Sequence, residues 1–497
     1  MLTMDLLILA VAVGLIHFAI IVWKSMTYWK ERGVKHHAPV PIFGNFLTVI
    51  SFRKHFFHFY DKVYKAFPNE RMVGLYEFMT PTLVLRDTQL IEQVLIREFS
   101  TFPDHGSFLF EPSSVMYDSI FNMSGIRWRA LRNKLLITFT TGKMRSVFPS
   151  LSESCLQLLN SNPKTLDREM LSDLAIRTFM ESMFGTKIQK SAEAEIYTKA
   201  RKIFEPTWWR YTQQTLLTYF PKLADFLHLT FMPKHLDNYF RSIMDTILSQ
   251  RMESMNERND YAQVLVQMKE QKKLNIYNRE NKKVDETFDV TNELAIAQAF
   301  MFFFAGMDAT SLLMLYTASN LAQSKDCQSK AREEIKNVLE KYGGYSWEAV
   351  RDMKYLDSCV QETLRMQPSL QFLNRVCDKD TTIDGVKLVK GTRIIIPIHT
   401  IQMDPKNFPN PEKFDPERFM EGLNDKFAHL PFSDGPRVCL GKRFATMETT
   451  TFMAHLLENF ELSVNPETKL PLKYQPTALF LTPKANNPIK IDLKRIN

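Results

Sequence analysis

The chain has 497 residues, 45% hydrophobic and 24% charged, a mixture that excludes a disordered or collagen-like protein. Its net charge of +8 permits an acidic partner or an anionic membrane surface, but no basic run of the nucleic-acid-binding kind is present, so we predict no nucleic-acid partner. The 5 cysteines are odd in number and widely separated, which favours a reducing compartment over a disulfide framework. The 38 phenylalanines and 25 methionines can line an adaptable apolar cavity, although such residues more often fill a core.

The first predicted element is a membrane anchor. Residues 6–23 form an apolar run broken only by Gly14 and His17, close to the roughly 20 residues that a helix needs to cross a bilayer. A cleaved signal peptide is the alternative, but the run has no basic start and no small-residue cleavage site. Because Asp5 precedes the run and basic residues follow it, we expect the rest of the chain on the cytosolic side. The following basic residues are Lys24, Lys30, Arg32 and Lys35.

A short proline-containing segment follows the anchor. In HHAPVPIFGN, residues 36–45, Pro39 and Pro41 favour extended backbone and Gly44 favours a turn. We interpret the segment as a stiff hinge. The predicted organisation is therefore an anchor at residues 1–24, a hinge at 25–45 and one catalytic domain at 46–497.

The body of the chain is predicted to be mainly α with a small β portion. Residues 72–76 and 82–86, separated by Pro81, have the pattern of a hairpin, and a β-like stretch with two turns covers residues 381–398. Helical spacing and end signals predict helices at 88–99, 330–342 and 354–367.

The longest predicted helix covers residues 291–323, with Thr291 as its N-cap. It is apolar nearly all round, which predicts either a buried central helix or a second membrane span. Asp308 in its middle argues against lipid. The adjacent Gly306 suggests that the helix opens there to admit a polar group.

Cys439 has the most specialised surroundings of the five cysteines. It lies in PFSDGPRVCLGKRFA, residues 431–445, immediately before a predicted helix. Backbone N–H groups at a helix start stabilise a thiolate, so we expect a lowered pKa and metal binding. A zinc site would need three more ligands, which the neighbouring residues do not offer. One thiolate is sufficient as the axial ligand of haem iron.

The sequence resembles the cytochrome P450 superfamily, in particular its microsomal animal members. The family's F-x-x-G-x-R-x-C-x-G signature is matched from Phe432 to Gly441, and its other motifs follow in the same order. They are W-x-x-x-R at residues 128–132, E-x-x-R at 362–365 and P-E-R-F at 416–419. The resemblance covers essentially the whole chain and implies the cytochrome P450 fold, with a long central helix and a transmembrane anchor.

By resemblance the cofactor is haem b, with Cys439 as its metal ligand. The implied buried charge cluster consists of Glu362, Arg365 and Arg418. His105 stands where relatives often carry arginine, so no haem contact is assigned to it. The implied cofactor-binding residues are Cys439, Trp128, Arg132, Arg375, Arg437, Phe432 and Gly435. Trp128 and Arg132, four residues apart, share one helix face, which suits anionic propionates.

The chain departs from the family at the oxygen site. Most relatives carry a threonine where this chain has Ala309, and the nearest hydroxyl belongs to Thr310, about 100° further round a regular helix. Three routes for proton delivery remain open. Thr310 reaches in through a helix bulge, Asp308 and waters relay protons, or a substrate hydroxyl supplies the donor. Ala309 as a tolerated variant with modest loss of coupling is the alternative to all three.

The predicted activity is insertion of one atom of dioxygen into a hydrophobic substrate with NADPH-derived electrons. The implied donor is NADPH–cytochrome P450 reductase, with cytochrome b5 as a further candidate, in the endoplasmic reticulum membrane. A basic docking face is predicted from Arg127, Arg129, Lys134, Lys442 and Arg443. A reductase-independent isomerase or dehydratase and a non-catalytic haem or lipid binder are the alternatives. Family analogy assigns the substrate pocket to residues 102–121, 203–220 and 302–304, and predicts that residues 223–232 dip into the headgroup layer.

Overall fold

A computed structural model gives the fold of the chain. It describes residues 2–50, 56–106, 111–188, 190–203, 207–254, 258, 260–277, 284–474, 485 and 487–496. Parts of the predicted substrate pocket, at 107–110 and 204–206, lie outside the described residues. The chain is about 58% helical with a small sheet portion, so the prediction of a mainly α protein is confirmed.

The helices and strands alternate unevenly along the chain. The α-helices are α1 Leu2–Glu31, α2 Leu47–Ile50, α3 Phe56–Ala66, α4 Thr88–Glu92, α5 Gly125–Leu136, α6 Thr141–Asn160, α7 Arg168–Met183, α8 Lys190–Ile203, α9 Trp208–Tyr219, α10 Pro221–Phe226, α11 Lys234–Glu253, α12 Tyr261–Gln271, α13 Asn292–Gln323, α14 Lys325–Tyr342, α15 Trp347–Asp352, α16 Lys354–Met366, α17 Ile398–Gln402 and α18 Lys442–Asn459. The strands are β1 Met72–Glu77, β2 Thr80–Leu85, β3 Thr165–Leu166, β4 Lys273–Tyr277, β5 Val284–Asp289, β6 Leu373–Val376, β7 Thr381–Ile383, β8 Val386–Leu388, β9 Arg393–Ile396, β10 Phe460–Val464 and β11 Ile491–Arg495.

The chain divides into two compact units. The smaller consists of residues 1–107, 371–401 and 427–437, and the larger of residues 108–370, 402–426 and 438–497. The smaller unit contains a four-stranded sheet of order β1-β2-β9-β6 and the β7-β8 hairpin. The larger unit is mostly helical, with a sheet of order β10-β11-β3 and the β4-β5 pair.

In the smaller unit, α1 extends beyond the apolar run that predicted it. The helix continues to Glu31, and Trp29 in its last turn is fully buried. The Trp29 indole N–H donates to the Leu75 carbonyl at 2.9 Å, and its backbone N–H donates to the Tyr76 hydroxyl at 3.0 Å. A Cβ on Gly74 would lie 2.5 Å from the Trp29 ring, so only glycine permits this contact. The end of α1 is therefore packed against β1.

The predicted hinge is also attached to this sheet. Single β-bridges join His36 to Gly74 and Gly44 to Glu77. Gly44 has a φ of +59°, and a Cβ there would lie 2.2 Å from the Phe78 carbonyl oxygen. The turn predicted at Gly44 thus requires glycine for both its conformation and its close approach.

The prediction for the central helix is confirmed in one respect and wrong in another. The Thr291 side chain caps α13 by accepting the Leu294 N–H at 3.1 Å. α13 and α1 are the described helices that are long and apolar enough to span a membrane. However, 78% of an apolar 18-residue stretch of α13 is buried inside the protein. It is therefore the buried central helix. The opening predicted near Gly306 does not occur, because α13 is one continuous α-helix.

The predicted hairpins and peripheral helices are confirmed with small shifts. β1 and β2 pair antiparallel as expected, but Pro81 lies inside β2, opposite Tyr76. The segment predicted as one helix from residue 88 is α4 followed by a π-helical turn at Gln93–Arg97. α14 ends at Gly343, which has a φ of +73°, as its glycine pair predicted.

A buried carboxyl on α18 predicts a pH-dependent stability. Glu448 accepts a hydrogen bond from the Thr178 hydroxyl, and burial raises its pKa to about 8. Because the raised pKa favours the neutral acid in the folded state, stability is lost as pH rises from about 4.5 to about 8. We expect Glu448→Gln to raise the free energy of unfolding by about 4 kcal/mol at pH 8 and to leave it nearly unchanged at pH 4.5. Urea unfolding at both pH values measures this difference.

The control for this prediction is Glu461→Gln, which alters an exposed residue of β10. It should change the free energy of unfolding by less than about 0.5 kcal/mol at either pH. An equal effect of Glu448→Gln at both pH values would contradict the raised pKa.

Candidate functional site

The cysteine loop leads directly into α18 of the larger unit. Cys439 is exposed, whereas Cys155, Cys359 and Cys377 are buried. A Cβ on Gly441 would lie 4.0 Å from the Cys439 sulfur. The sulfur is therefore accessible on one side and close to the backbone of the helix start on the other, as an axial ligand must be.

The expectation of a lowered thiol pKa is wrong for the polypeptide by itself. The surrounding protein atoms raise the pKa of Cys439 by burial, although part of the side chain is exposed. The Gly441 and Lys442 N–H groups and the charge of Arg132 lower the pKa, but they do not outweigh burial. The N–H groups at the helix start therefore lower the Cys439 pKa, as predicted, but the net shift is upward. Coordination to a metal ion deprotonates such a thiol outright.

The W-x-x-x-R motif lies on α5 as predicted. Trp128 and Arg132 are both buried, and the Arg132 guanidinium lies 5.7 Å from the centre of the Trp128 ring. Arg132 donates to the Val438 carbonyl at 2.6 Å, one residue before Cys439. The structure therefore brings Arg132 to the thiol loop and confirms that the two motif residues share a face.

The charge cluster implied by the E-x-x-R and P-E-R-F motifs is assembled within the larger unit. Arg365 donates two hydrogen bonds to Glu362, at 2.7 and 2.9 Å, and the Arg418 Nε lies 3.4 Å from a Glu362 oxygen. Arg365 also donates to the carbonyls of Gln402 and Pro411, at 2.8 and 2.7 Å. Glu362 and Arg365 are fully buried, so this cluster fastens the segment from residue 402 to 418 onto α16.

The smaller unit holds the remaining predicted cofactor residues, including Phe432, which is partly buried. Gly435 has a φ of +75°, and a Cβ there would lie 2.2 Å from the Leu95 carbonyl oxygen, so the signature requires glycine here. Arg437 donates to Asp104 at 2.6 Å and to the Pro103 carbonyl at 2.9 Å.

Arg375 is a buried cation of this unit. Burial, and next the charge of Arg437, lower its pKa to about 9. Its Nε atom is buried and has no hydrogen-bond partner among the residues that the structure describes. His105 lies 3.3 Å from its Nη1 atom. Burial and the two arginines lower the pKa of His105, so this imidazole is neutral and offers no positive charge to an anion.

These residues fit the chemistry of haem. An accessible thiol satisfies the axial position, and a buried guanidinium with an unpaired Nε beside a second one favours an anionic group such as a propionate. Each unit fits haem through its own residues. Cys439 and Arg132 belong to the larger unit, and Arg375 and Arg437 belong to the smaller.

An exposed stripe interrupts the buried surface of α13. Ala305 is exposed, and Phe302, Gly306 and Ala309 are partly exposed, while the residues around them are buried. These four positions lie within about 100° of one helix face. Ala309 therefore lies on the accessible face, whereas Thr310 is 2% exposed on another. The stripe carries no hydroxyl or carboxyl side chain.

Asp308 has a partner that the sequence did not indicate. It is buried and forms an ion pair with Arg168 at the start of α7. Burial alone would lower the pKa of Arg168, but the Asp308 carboxylate outweighs this and raises it. The two residues are 140 positions apart, and no local motif marks Arg168. Only the charge of Asp308 in an apolar helix signalled that a cation had to lie nearby.

Comparisons with known proteins agree with this site. The profile of the family described as Cytochrome P450 matches residues 35–491. Cytochrome P450 6a2 of Drosophila melanogaster is 33% identical over 484 residues, covering 92% of this chain and 94% of its own. Cytochrome P450 6B1 of Papilio polyxenes is 31% identical, with 96% and 97% covered, and cytochrome P450 9e2 of Blattella germanica is 33% identical, with 92% of each covered. Together with the thiol loop and the buried charge cluster, these matches establish that the chain belongs to the cytochrome P450 family.

Proposed function

We propose that this haem-thiolate monooxygenase works at the cytosolic face of the endoplasmic reticulum membrane and receives electrons from NADPH–cytochrome P450 reductase, with cytochrome b5 as a second donor. The observation that carries the function is the accessible Cys439 thiol at the start of α18. When bound, haem b supplies the chemistry that cleaves the O–O bond of dioxygen and inserts one oxygen atom into a hydrophobic substrate. The polypeptide supplies the ligand, the cofactor orientation and the protons.

The test of this function is a reconstituted reaction. Purified protein, reductase and NADPH are incubated with a panel of lipophilic compounds, and products are identified by mass. We expect at least one product heavier by one oxygen atom, formed only with NADPH. Conversion of a substrate without NADPH or reductase would contradict the proposal and favour an isomerase.

The proposed organisation keeps an anchor at residues 1–24, a hinge at 25–45 and a catalytic domain at 46–497. The exposed apolar surface of α1 and the basic residues that follow residue 23 support a membrane-spanning anchor with its positive flank in the cytosol. Phe226, 78% exposed, and Leu227, 48% exposed, support a second contact of residues 223–232 with the headgroup layer.

The proposed cofactor contacts are those of the signature and its partners. Cys439 holds the iron, and Phe432 and Gly435 shape the loop before it. Trp128, Arg132, Arg375 and Arg437 donate to the propionates. The burial of Arg132 and Arg375 supports this assignment, since a desolvated guanidinium binds a carboxylate more strongly than an exposed one.

For proton delivery we assign Asp308, held by Arg168, as the group that relays protons with water to the stripe at Ala309. The continuous α13 and the burial of Thr310 argue against a direct contribution of the Thr310 hydroxyl through a bulge. A substrate hydroxyl lying over Ala309 is the other donor compatible with a stripe that carries none itself.

Restoring a hydroxyl to the stripe is expected to raise the share of NADPH consumption that yields product. We predict that Ala309→Thr raises the product formed per NADPH consumed at least about twofold, because the added hydroxyl lies on the exposed face and can hold a proton donor. Ala309→Val has the same shape without the hydroxyl and should give no gain. Equal coupling in the parent and both variants would show that the displaced hydroxyl is immaterial.

The electron donor is proposed to dock on basic residues of α5 and the start of α18. Neutralising Arg127, Lys442 and Arg443 to glutamine should slow the first reduction about tenfold at low salt and flatten its salt dependence. Stopped-flow reduction under carbon monoxide measures both. Neutralising the exposed lysines 325, 336 and 494 is the matched control, and an equal loss in both variants would reject the docking face.

A further inference from the structure

The segment at residues 111–123 of the larger unit has little secondary structure of its own but is firmly held. Val115 and Met116 are buried, as is Ile120. Short turns bond part of its backbone internally, and side chains from α11 and α13 accept the N–H groups of Val115 and Ile120. Its attachment to these two helices therefore depends on a few polar side chains.

One group of contacts holds the first half of this segment. Asp237 on α11 accepts the Val115 N–H at 2.8 Å, and Arg241 donates to the Ser113 carbonyl and to Asp237, each at 3.2 Å. Glu111 accepts the Phe231 N–H at 3.1 Å. These bonds fasten residues 111–115 to α11 and to the loop before it.

Gln298 of the central helix binds the second half. Gln298 is fully buried; its amide nitrogen donates to the Asp118 carbonyl at 2.7 Å and its amide oxygen accepts the Ile120 N–H at 2.8 Å. The nitrogen also donates to the Leu294 carbonyl, at 2.9 Å. A polar side chain inside an apolar helix is costly unless it is satisfied, and here its hydrogen bonds run mainly to the loop.

Gln298 lies on the same helix face as the exposed stripe. Gln298, Phe302, Ala305 and Ala309 follow one another at intervals of four, three and four residues, which is one face of an α-helix. Gln298 precedes Ala305 by seven residues, or about 10 Å along the axis. Residues 118–120 therefore stand at the N-terminal end of the stripe.

We propose that Gln298 is a positioning residue that fixes residues 118–120 as the end wall of the substrate space. This wall limits the length of a molecule that can lie over Ala305 and Ala309. The inference rests on the proposed function, because it takes the stripe to face the substrate. Loss of the amide removes the hydrogen bonds from Gln298 to the Asp118 carbonyl and the Ile120 N–H, and the wall loosens while α13 and the thiol loop stay in place.

Hydrogen exchange tests the clamp without reference to haem. In the parent protein the amides of Val115 and Ile120 should exchange slowly, and in Gln298→Met peptides covering residues 111–123 should exchange about tenfold faster. Gln323→Met, at the far end of the same helix, is the control and should leave these peptides unchanged. Fast exchange of Ile120 in the parent, or no change in Gln298→Met, would overturn the proposal.

Ligands of different size test the wall. Imidazole and the much bulkier 1-tritylimidazole are each mixed rapidly with the holoprotein in excess, and the time course of the Soret shift gives each association rate. We expect Gln298→Met to raise the rate for tritylimidazole about fivefold and to change that for imidazole less than twofold. Equal changes for both ligands would overturn a size-limiting wall. If the parent gave no shift with either ligand, the haem assignment would fail, and hydrogen exchange would still decide on the clamp.

Discussion

Cys439→Ser is expected to abolish monooxygenation while the chain still folds. A hydroxyl is a poor ligand for haem iron compared with a thiolate, and three of the other cysteines, Cys155, Cys359 and Cys377, are buried. We expect activity to fall more than about 1,000-fold, and the absorption of the reduced, carbon monoxide-treated protein to lose its thiolate signature. Activity assays and that spectrum, with circular dichroism as a check on folding, measure the effect.

Cys327→Ser is the matched control, because Cys327 is the other cysteine that is not buried. It should retain the parent spectrum and activity. A Cys439→Ser variant that kept either one would mean that another group ligates the iron.

The second large effect is expected from Glu362→Gln. The substitution leaves Arg365 fully buried with its charge uncompensated, and breaking such a pair from one side costs about 3 to 5 kcal/mol. We expect a clear fall in the denaturant midpoint and a loss of haem content, measured by urea unfolding and by absorbance. The cause is the release of residues 402–418, which Arg365 and Arg418 hold through Gln402, Pro411 and Glu362.

Two comparisons sharpen this test. Glu417→Gln removes a largely exposed ion pair with Lys330 and should have little effect. Glu362→Gln combined with Arg365→Met removes both charges, so it should be less damaging than Glu362→Gln alone. If the single and double variants were equally unstable, the uncompensated charge would not be the cause.

Features encoded by contiguous residues were predictable from the sequence. The thiol loop, the hairpin at β1 and β2 and the cap at Thr291 each depend on residues close in the chain, so their spacing carried the information. The Glu362 cluster was predictable only through the resemblance, because i, i+3 charges alone are usually a surface pair.

Features that depend on tertiary packing were missed or wrong. No pattern indicated that Arg168 pairs with Asp308 or that Gln298 binds residues 118–120, since both contacts join segments more than 100 residues apart. The direction of the Cys439 pKa shift was wrong because burial raises the pKa by more than the local N–H groups lower it. Gly306 suggested a break in α13, but the helix continues through it without interruption.

Thiolate ligation by Cys439 is tested most directly by one spectrum. The freshly purified holoprotein is reduced with dithionite and exposed to carbon monoxide. We predict a Soret maximum shifted far to the red, as an axial thiolate produces. A maximum at the shorter wavelength typical of a histidine-ligated or thiol-ligated haem, in protein that has not been damaged, would contradict the account.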